Sequence, residues 1–218
     1  MNPQPKVKIC CIASLAEAEL ALYHGAAALG LVSAMPSGPG VIAETLIAAI
    51  AGSVPKSAET FLLTSLRTAA ELIEQHRRCA TTTLQLVDQV ALDELRILRR
   101  ALPRTRLVQV IHVRNEDSIR EAVEVSPFVD ALLLDSGNPS LQVKELGGTG
   151  RTHDWNLSRL IRDAIPIPLW LAGGLHPGNV AEAVGAVAPY GLDICSGLRT
   201  GGQLDPVKLA AFFKALPE

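Results

Sequence analysis

Aromatic side chains are scarce in this chain: Phe, Trp and Tyr make up 4% of its 218 residues, while hydrophobic residues of all kinds reach 48%. A core made on those terms is aliphatic and alanine-rich, which suits a barrel or a doubly wound sheet better than an aromatic-rich sandwich. An excess of one charge is missing too. The net charge of -2 gives no field for nucleic acid or an anionic membrane. No apolar run approaches the roughly 18 residues that span a bilayer, and Met1-Asn2-Pro3-Gln4-Pro5-Lys6 does not read as a signal peptide. The four cysteines, Cys10, Cys11, Cys79 and Cys195, have neither the density of a disulfide framework nor the spacing of a zinc site. No GxGxxG follows the first apolar run, where a dinucleotide-binding sheet would place it. These absences point to a cytoplasmic chain without nucleic-acid, membrane or metal partners. Nothing in it reads as a linker, so residues 1–218 are expected to form one domain.

What is present is an alternation that never breaks. Short β-branched or leucine-rich runs begin at Val7, Ala28, Thr60, Leu84, Leu107, Ala131, Leu169 and Leu192. Each precedes a helical stretch, the first spanning Ser14 to His24 and the last Pro206 to Leu216. Strands alternating with helices of this length imply a parallel sheet with right-handed crossovers. Eight such units in 218 residues predict an α/β chain folded as a (β/α)8 TIM barrel. A doubly wound open sheet is the rival architecture.

In such a barrel the chemistry gathers at the carboxyl ends of the strands. The residues found there are Cys10, Asp135, Gly173-Gly174 and Asp193-Ile194-Cys195-Ser196-Gly197. Backbone amides at Gly173, Gly174, Ser196 and Gly197, with a short helix near Leu198, can cradle a phosphate. Asp193 fits either a contact to a sugar hydroxyl or amine, or a buried structural carboxylate. The connection after Asp135 is unusually long and carries Gly147-Gly148-Thr149-Gly150; loops of that length are often functional, and Gly148 lets the backbone lie against a ligand. On spacing alone Cys10 also fits an inert buried thiol, and Asp135 a loop anchor. Strand alternation puts Lys8 on the face of Cys10, where its charge could favour a thiolate, and sends Cys11 toward a helix. His112 ends a strand and could face a ligand; no histidine is assigned a metal.

These residues carry a resemblance to the phosphoribosylanthranilate isomerases. Val7-Lys8-Ile9-Cys10 resembles the family's first strand, and Leu132-Leu133-Leu134-Asp135 its sixth. Gly147 to Trp155 is similar to its sixth loop, Leu171-Ala172-Gly173-Gly174-Leu175 to its seventh turn, and Gly191 to Gly197 to its eighth strand and phosphate loop. The resemblance implies an Amadori rearrangement of a phosphorylated aminoaldose in tryptophan biosynthesis, with Cys10 as general base and Asp135 as general acid. It implies a small phosphorylated sugar as substrate, no cofactor, and a monomer or homodimer. A non-catalytic phosphosugar-binding barrel, or a paralogue acting on another phosphosugar, is the alternative.

Four departures from the family's pattern stand out. Cys11 follows Cys10 where the family has glycine. The loop Ser37-Gly38-Pro39-Gly40 has no cation where the family's arginine holds the anthranilate carboxylate. The fourth strand reads Gln85-Leu86-Val87-Asp88 in place of Gln-Leu-His-Gly. Arg199 takes the place of an acidic residue after Ser196-Gly197.

Overall fold

The computed structural model describes residues 4–137, 150 and 152–217. Gly148 and most of its loop lie outside the described residues. Eight parallel strands close on themselves in sequence order: β1 (Lys6–Ile9), β2 (Ala28–Val32), β3 (Glu59–Thr64), β4 (Thr83–Leu86), β5 (Arg106–His112), β6 (Ala131–Asp135), β7 (Leu169–Leu171) and β8 (Gly191–Ile194). Closure is made by β1 against β8, with Lys6 beside Gly191 and Ile9 beside Ile194. The helices that follow each strand are α1 (Leu15–Tyr23), α2 (Glu44–Ser53), α3 (Ala69–Cys79), α4 (Leu92–Ala101), α5 (Asp117–Val125), α6 (Trp155–Ala164), α7 (Val180–Val187) and α8 (Pro206–Lys214). The (β/α)8 barrel expected from the alternation is therefore the fold. Among the described residues, no helix is long and apolar enough to cross a membrane.

Local chemistry sets the helix starts. Ser14, Thr68, Asp154 and Asp205 each accept a backbone N–H of the first turn that follows, satisfying donors that a helix cannot pair internally. Pro206 opens α8, where its missing N–H costs nothing.

Alternation along the strands divides the apolar residues into two cores. Outward residues such as Ile9, Leu29, Leu62, Leu84, Leu132 and Leu192 pack against the helices. Inward residues, among them Val32, Phe61, Leu63, Val108, Leu133 and Trp170, fill the barrel. The inner set is small because polar side chains share the interior: Lys8, Thr83, Gln85, Asp135 and Asp193 are all buried.

Two features were not anticipated. The first strand stops at Ile9, although the apolar run continues to Ala13. Beyond the 3-10 turn Ser196–Leu198, a small antiparallel ribbon forms from β9 (Arg199–Thr200) and β10 (Gln203–Leu204).

Candidate active site

Cys10 lies one residue past β1, and its N–H donates to the Ile194 carbonyl at 2.8 Å, so the ladder carries it to the rim. Asp135 is the last residue of β6 and pairs with His112 of β5. Gly173 and Gly174 follow β7, both at positive φ, and Ser196 begins the turn after β8. Cys10, Asp135, Gly173, Gly174, Asp193 and Ser196 all line one cleft. Residues from four strand ends or the turns beyond them thus meet at the carboxyl rim.

Gly197 does not line that cleft. A methyl group there would stand 2.1 Å from the Leu175 carbonyl oxygen, so its glycine lets the β8 turn close onto the β7 turn. That β7 turn is braced by Asn179, whose Nδ2 donates to the Gly174 carbonyl at 3.0 Å and whose Oδ1 accepts the His176 N–H at 2.8 Å. A methyl group on Gly150, at the end of the long loop, would stand 3.5 Å from the Ser196 hydroxyl.

Lys8 and Asp193 form a buried ion pair beneath the cleft, Nζ to Oδ1 at 2.8 Å. The Lys8 ammonium also sits 5.2 Å over the Phe61 ring. Burial works against that charge, but Asp193, with help from Cys10, outweighs it and holds the lysine above its ordinary pKa. A side chain at Gly30 would collide with both the Cys10 sulfur and the Lys8 nitrogen, so the thiol and the ammonium are neighbours, as the strand face predicted. Asp193 is buried and paired with Lys8, and it also lines the cleft.

Asp135 is 9% exposed, and its Oδ1 accepts the Ser136 N–H at 2.7 Å. His153 stands close enough to feel its charge, yet burial pushes the imidazole below its usual pKa. Its Nε2 meets the Ser158 hydroxyl at 2.7 Å. His112 is not among the residues that line the cleft, and its Nε2 lies 3.0 Å from the Val87 carbonyl.

The expectation that Cys11 packs toward a helix is overturned. Alternation holds only while the strand lasts, and β1 has ended at Ile9. Cys11 adopts φ +61°, a left-handed conformation that turns its side chain back into the cleft. Its sulfur lies 2.7 Å from that of Cys195. Glycine is the residue that takes such a φ without strain, which accounts physically for the family's glycine at this place.

Gln85 and Arg199 had no assigned role. Gln85 is 3% exposed, lines the cleft, and its Oε1 has no partner among the described residues. The signal was available: Thr83, Gln85 and Val87 share one strand face, and an amide among inward positions calls for a ligand or a network. Arg199 forks onto Glu17 at 2.9 and 3.0 Å and donates to the Cys11 carbonyl at 2.5 Å. Glu17 also accepts the N–H groups of Ala13 and Leu204, each at 2.9 Å. The arginine's partner is thus on α1, a relation across 182 residues of sequence that no local pattern encodes.

The sequence model of the family described as N-(5'phosphoribosyl)anthranilate (PRA) isomerase matches residues 7–215. The chain belongs to that family. It is 34% identical to the N-(5'-phosphoribosyl)anthranilate isomerase of Methanosarcina acetivorans, over 96% of this chain and 92% of that one. The crystal structure of phosphoribosyl anthranilate isomerase from Thermotoga maritima superposes with a TM-score of 0.83 at 26% identity, covering 97% and 98% of the two chains. A phosphoribosyl anthranilate isomerase crystallised with reduced 1-(o-carboxyphenylamino)-1-deoxyribulose 5-phosphate shares the fold, with a TM-score of 0.80 at 24% identity over 97% of each chain.

Measured against that family's pattern, the loop after β2 is a part of the cleft that differs. Met35, Ser37, Gly38 and Pro39 line it, and none of the described lining residues is a lysine, arginine or histidine. Val87, where the family's histidine is expected, is buried in the inner core.

Proposed function

We propose that this chain is a cytoplasmic phosphoribosylanthranilate isomerase of tryptophan biosynthesis. The observation that carries the reading is that a thiol, Cys10, and a carboxyl, Asp135, enter one cleft beside the Gly173-Gly174 and Ser196 turns. Asp135 acts as general acid on the ribose ring oxygen, opening the ring to a Schiff base. Cys10 then removes the proton from the neighbouring sugar carbon, and the resulting enamine tautomerises to the aminoketose. Two proton-transfer groups suffice for this sequence of steps. The ammonium of Lys8 stands next to the Cys10 sulfur, beneath the cleft. Backbone amides at Gly173, Gly174 and Ser196 hold the phosphate, and the unpartnered Gln85 Oε1 accepts a substrate hydroxyl or amine. The working unit is a monomer or homodimer.

The lack of a cation along the Met35 to Pro39 lining favours a second reading, a paralogue whose aminosugar has no carboxylate on its aglycone. Complementation of a tryptophan auxotroph lacking the isomerase, with steady-state kinetics on purified protein, separates the two. Growth without tryptophan supports the first reading. Phosphosugar binding without turnover of phosphoribosylanthranilate supports the second.

A further inference from the structure

Three thiols meet at the mouth of this cleft, and one base needs only one of them. Cys10 and Cys11 are consecutive, and Cys195 sits across the β1–β8 closure, directly after Ile194, the register partner of Ile9. Neighbouring strands stand about 4.8 Å apart, which brings residues just beyond their ends within the span of a disulfide. Cys11 and Cys195 are free thiols whose sulfurs are 2.7 Å apart.

Cys11 keeps its side chain at a cost. It holds φ +61°, and Gly40 must stay bare beside it, because a methyl group there would stand 2.5 Å from the Cys11 Cβ. Cys195 is partly exposed, so a small oxidant can reach it. The hydrogen-bonding contact with Cys11, aided by the nearby Arg199 guanidinium, holds the Cys195 thiol below its ordinary pKa despite its burial, and a thiolate is the reactive form.

We propose that Cys11 and Cys195 are an oxidisable dithiol that reacts with hydroperoxides and closes to a reversible disulfide across the cleft mouth, slowing turnover. The Cys195 thiolate attacks one peroxide oxygen; the O–O bond breaks, leaving a sulfenic acid on Cys195, and the displaced hydroxide takes up a proton to become water. The Cys11 sulfur then attacks the sulfenic sulfur; the S–O bond breaks, and hydroxide leaves with the Cys11 proton as a second water. Two thiols are oxidised by two electrons, and one hydrogen peroxide is reduced to two waters. A thiol donor such as dithiothreitol reverses the change. The bond itself stands apart from the isomerase reading; the effect on turnover rests on it.

The test is to treat the reduced, full-length chain with equimolar hydrogen peroxide and follow intact mass, fragment mapping and turnover. The expected result is the loss of two hydrogens, a Cys11–Cys195 link on fragmentation, and a fall in turnover of about tenfold or more that dithiothreitol reverses. Cys10→Ser should still form the link, whereas Cys195→Ser and Cys11→Gly should not. A Cys10–Cys11 link, or stepwise oxygen addition without any link, overturns the dithiol. A link that leaves turnover unchanged overturns its regulatory role. Reduced protein without turnover counts against the isomerase reading, while the mass and mapping results still decide the dithiol.

Discussion

Cys11 and Gly40 occupy what is sterically one place: a methyl group on Gly40 would lie 2.5 Å from the Cys11 Cβ and 3.2 Å from its sulfur. The side chain gained after Cys10 is accommodated by the one absent from the loop after β2. Gly40→Ala should therefore destabilise the chain by about 1–3 kcal/mol, from overpacking together with a side chain at positive φ. Cys11→Gly should restore part of the loss. Urea unfolding of both single variants and the double variant should show a coupling of at least about 0.5 kcal/mol; strict additivity would mean that the two positions do not compete.

The same contact decides where a carboxylate clamp can be engineered. Arginine at Gly40 would meet Cys11, whereas Ser37 lines the cleft without that obstacle. Ser37→Arg should lower KM for phosphoribosylanthranilate by roughly ten- to a hundredfold, the scale of a charged hydrogen bond of about 1.5–3 kcal/mol. An unchanged KM would show that the aglycone does not approach this loop.

The acid–base assignment has a direct kinetic consequence. Cys10→Ser and Asp135→Asn should each reduce kcat by about a hundredfold or more, with little change in KM, since neither residue is assigned to the phosphate. Turnover that survives both substitutions would remove the pair from the mechanism.

Lys8 and Asp193 should be inseparable. Lys8→Met leaves a buried carboxylate without its counter-ion, at a cost of about 3–5 kcal/mol. Lys8→Met combined with Asp193→Leu should recover much of that loss, as judged by the midpoint of denaturant unfolding. Equal losses in the single and double variants would argue that packing, not charge, holds this layer.

Glu17 provides a pH test. Burial raises its carboxyl, but Arg199 and the N–H groups of Leu204 and Ala13 prevail and hold it below its ordinary 4.5. A depressed carboxyl contributes stability that is fully present above the unfolded pKa and fades as pH falls through the folded one. The difference in Tm between the wild type and Glu17→Gln should be constant above about pH 5.5 and shrink below 4.5. A difference that persists unchanged into strong acid would show that the Glu17 charge is not what matters.

The barrel was legible in the sequence because each strand carries a buried leucine or isoleucine on its outer face and is followed by a helical stretch. Cys10, Asp135 and Ser196 could be placed for the same reason: a parallel strand delivers its last residue to one rim. Cys11 was misread because β-alternation was extended past Ile9, where the backbone leaves the strand. Arg199 looked like a loss of the family's pattern because its counter-ion, Glu17, belongs to the first helix. Gln85 went unassigned because its meaning lies in an oxygen left without a partner, which only the packed interior reveals.

The grip of Arg199 on Glu17 also bears on how the chain assembles. The two residues are 182 positions apart, so this clasp forms only after nearly the whole polypeptide is in place, and its entropy of loop closure is among the largest in the fold. It joins the ends of the ring at the rim where Cys10, Cys11 and Cys195 stand. The contact that ties the first helix to the end of the chain is thereby also one that shapes the cleft, so the substrate's place depends on the two ends of the chain being brought together.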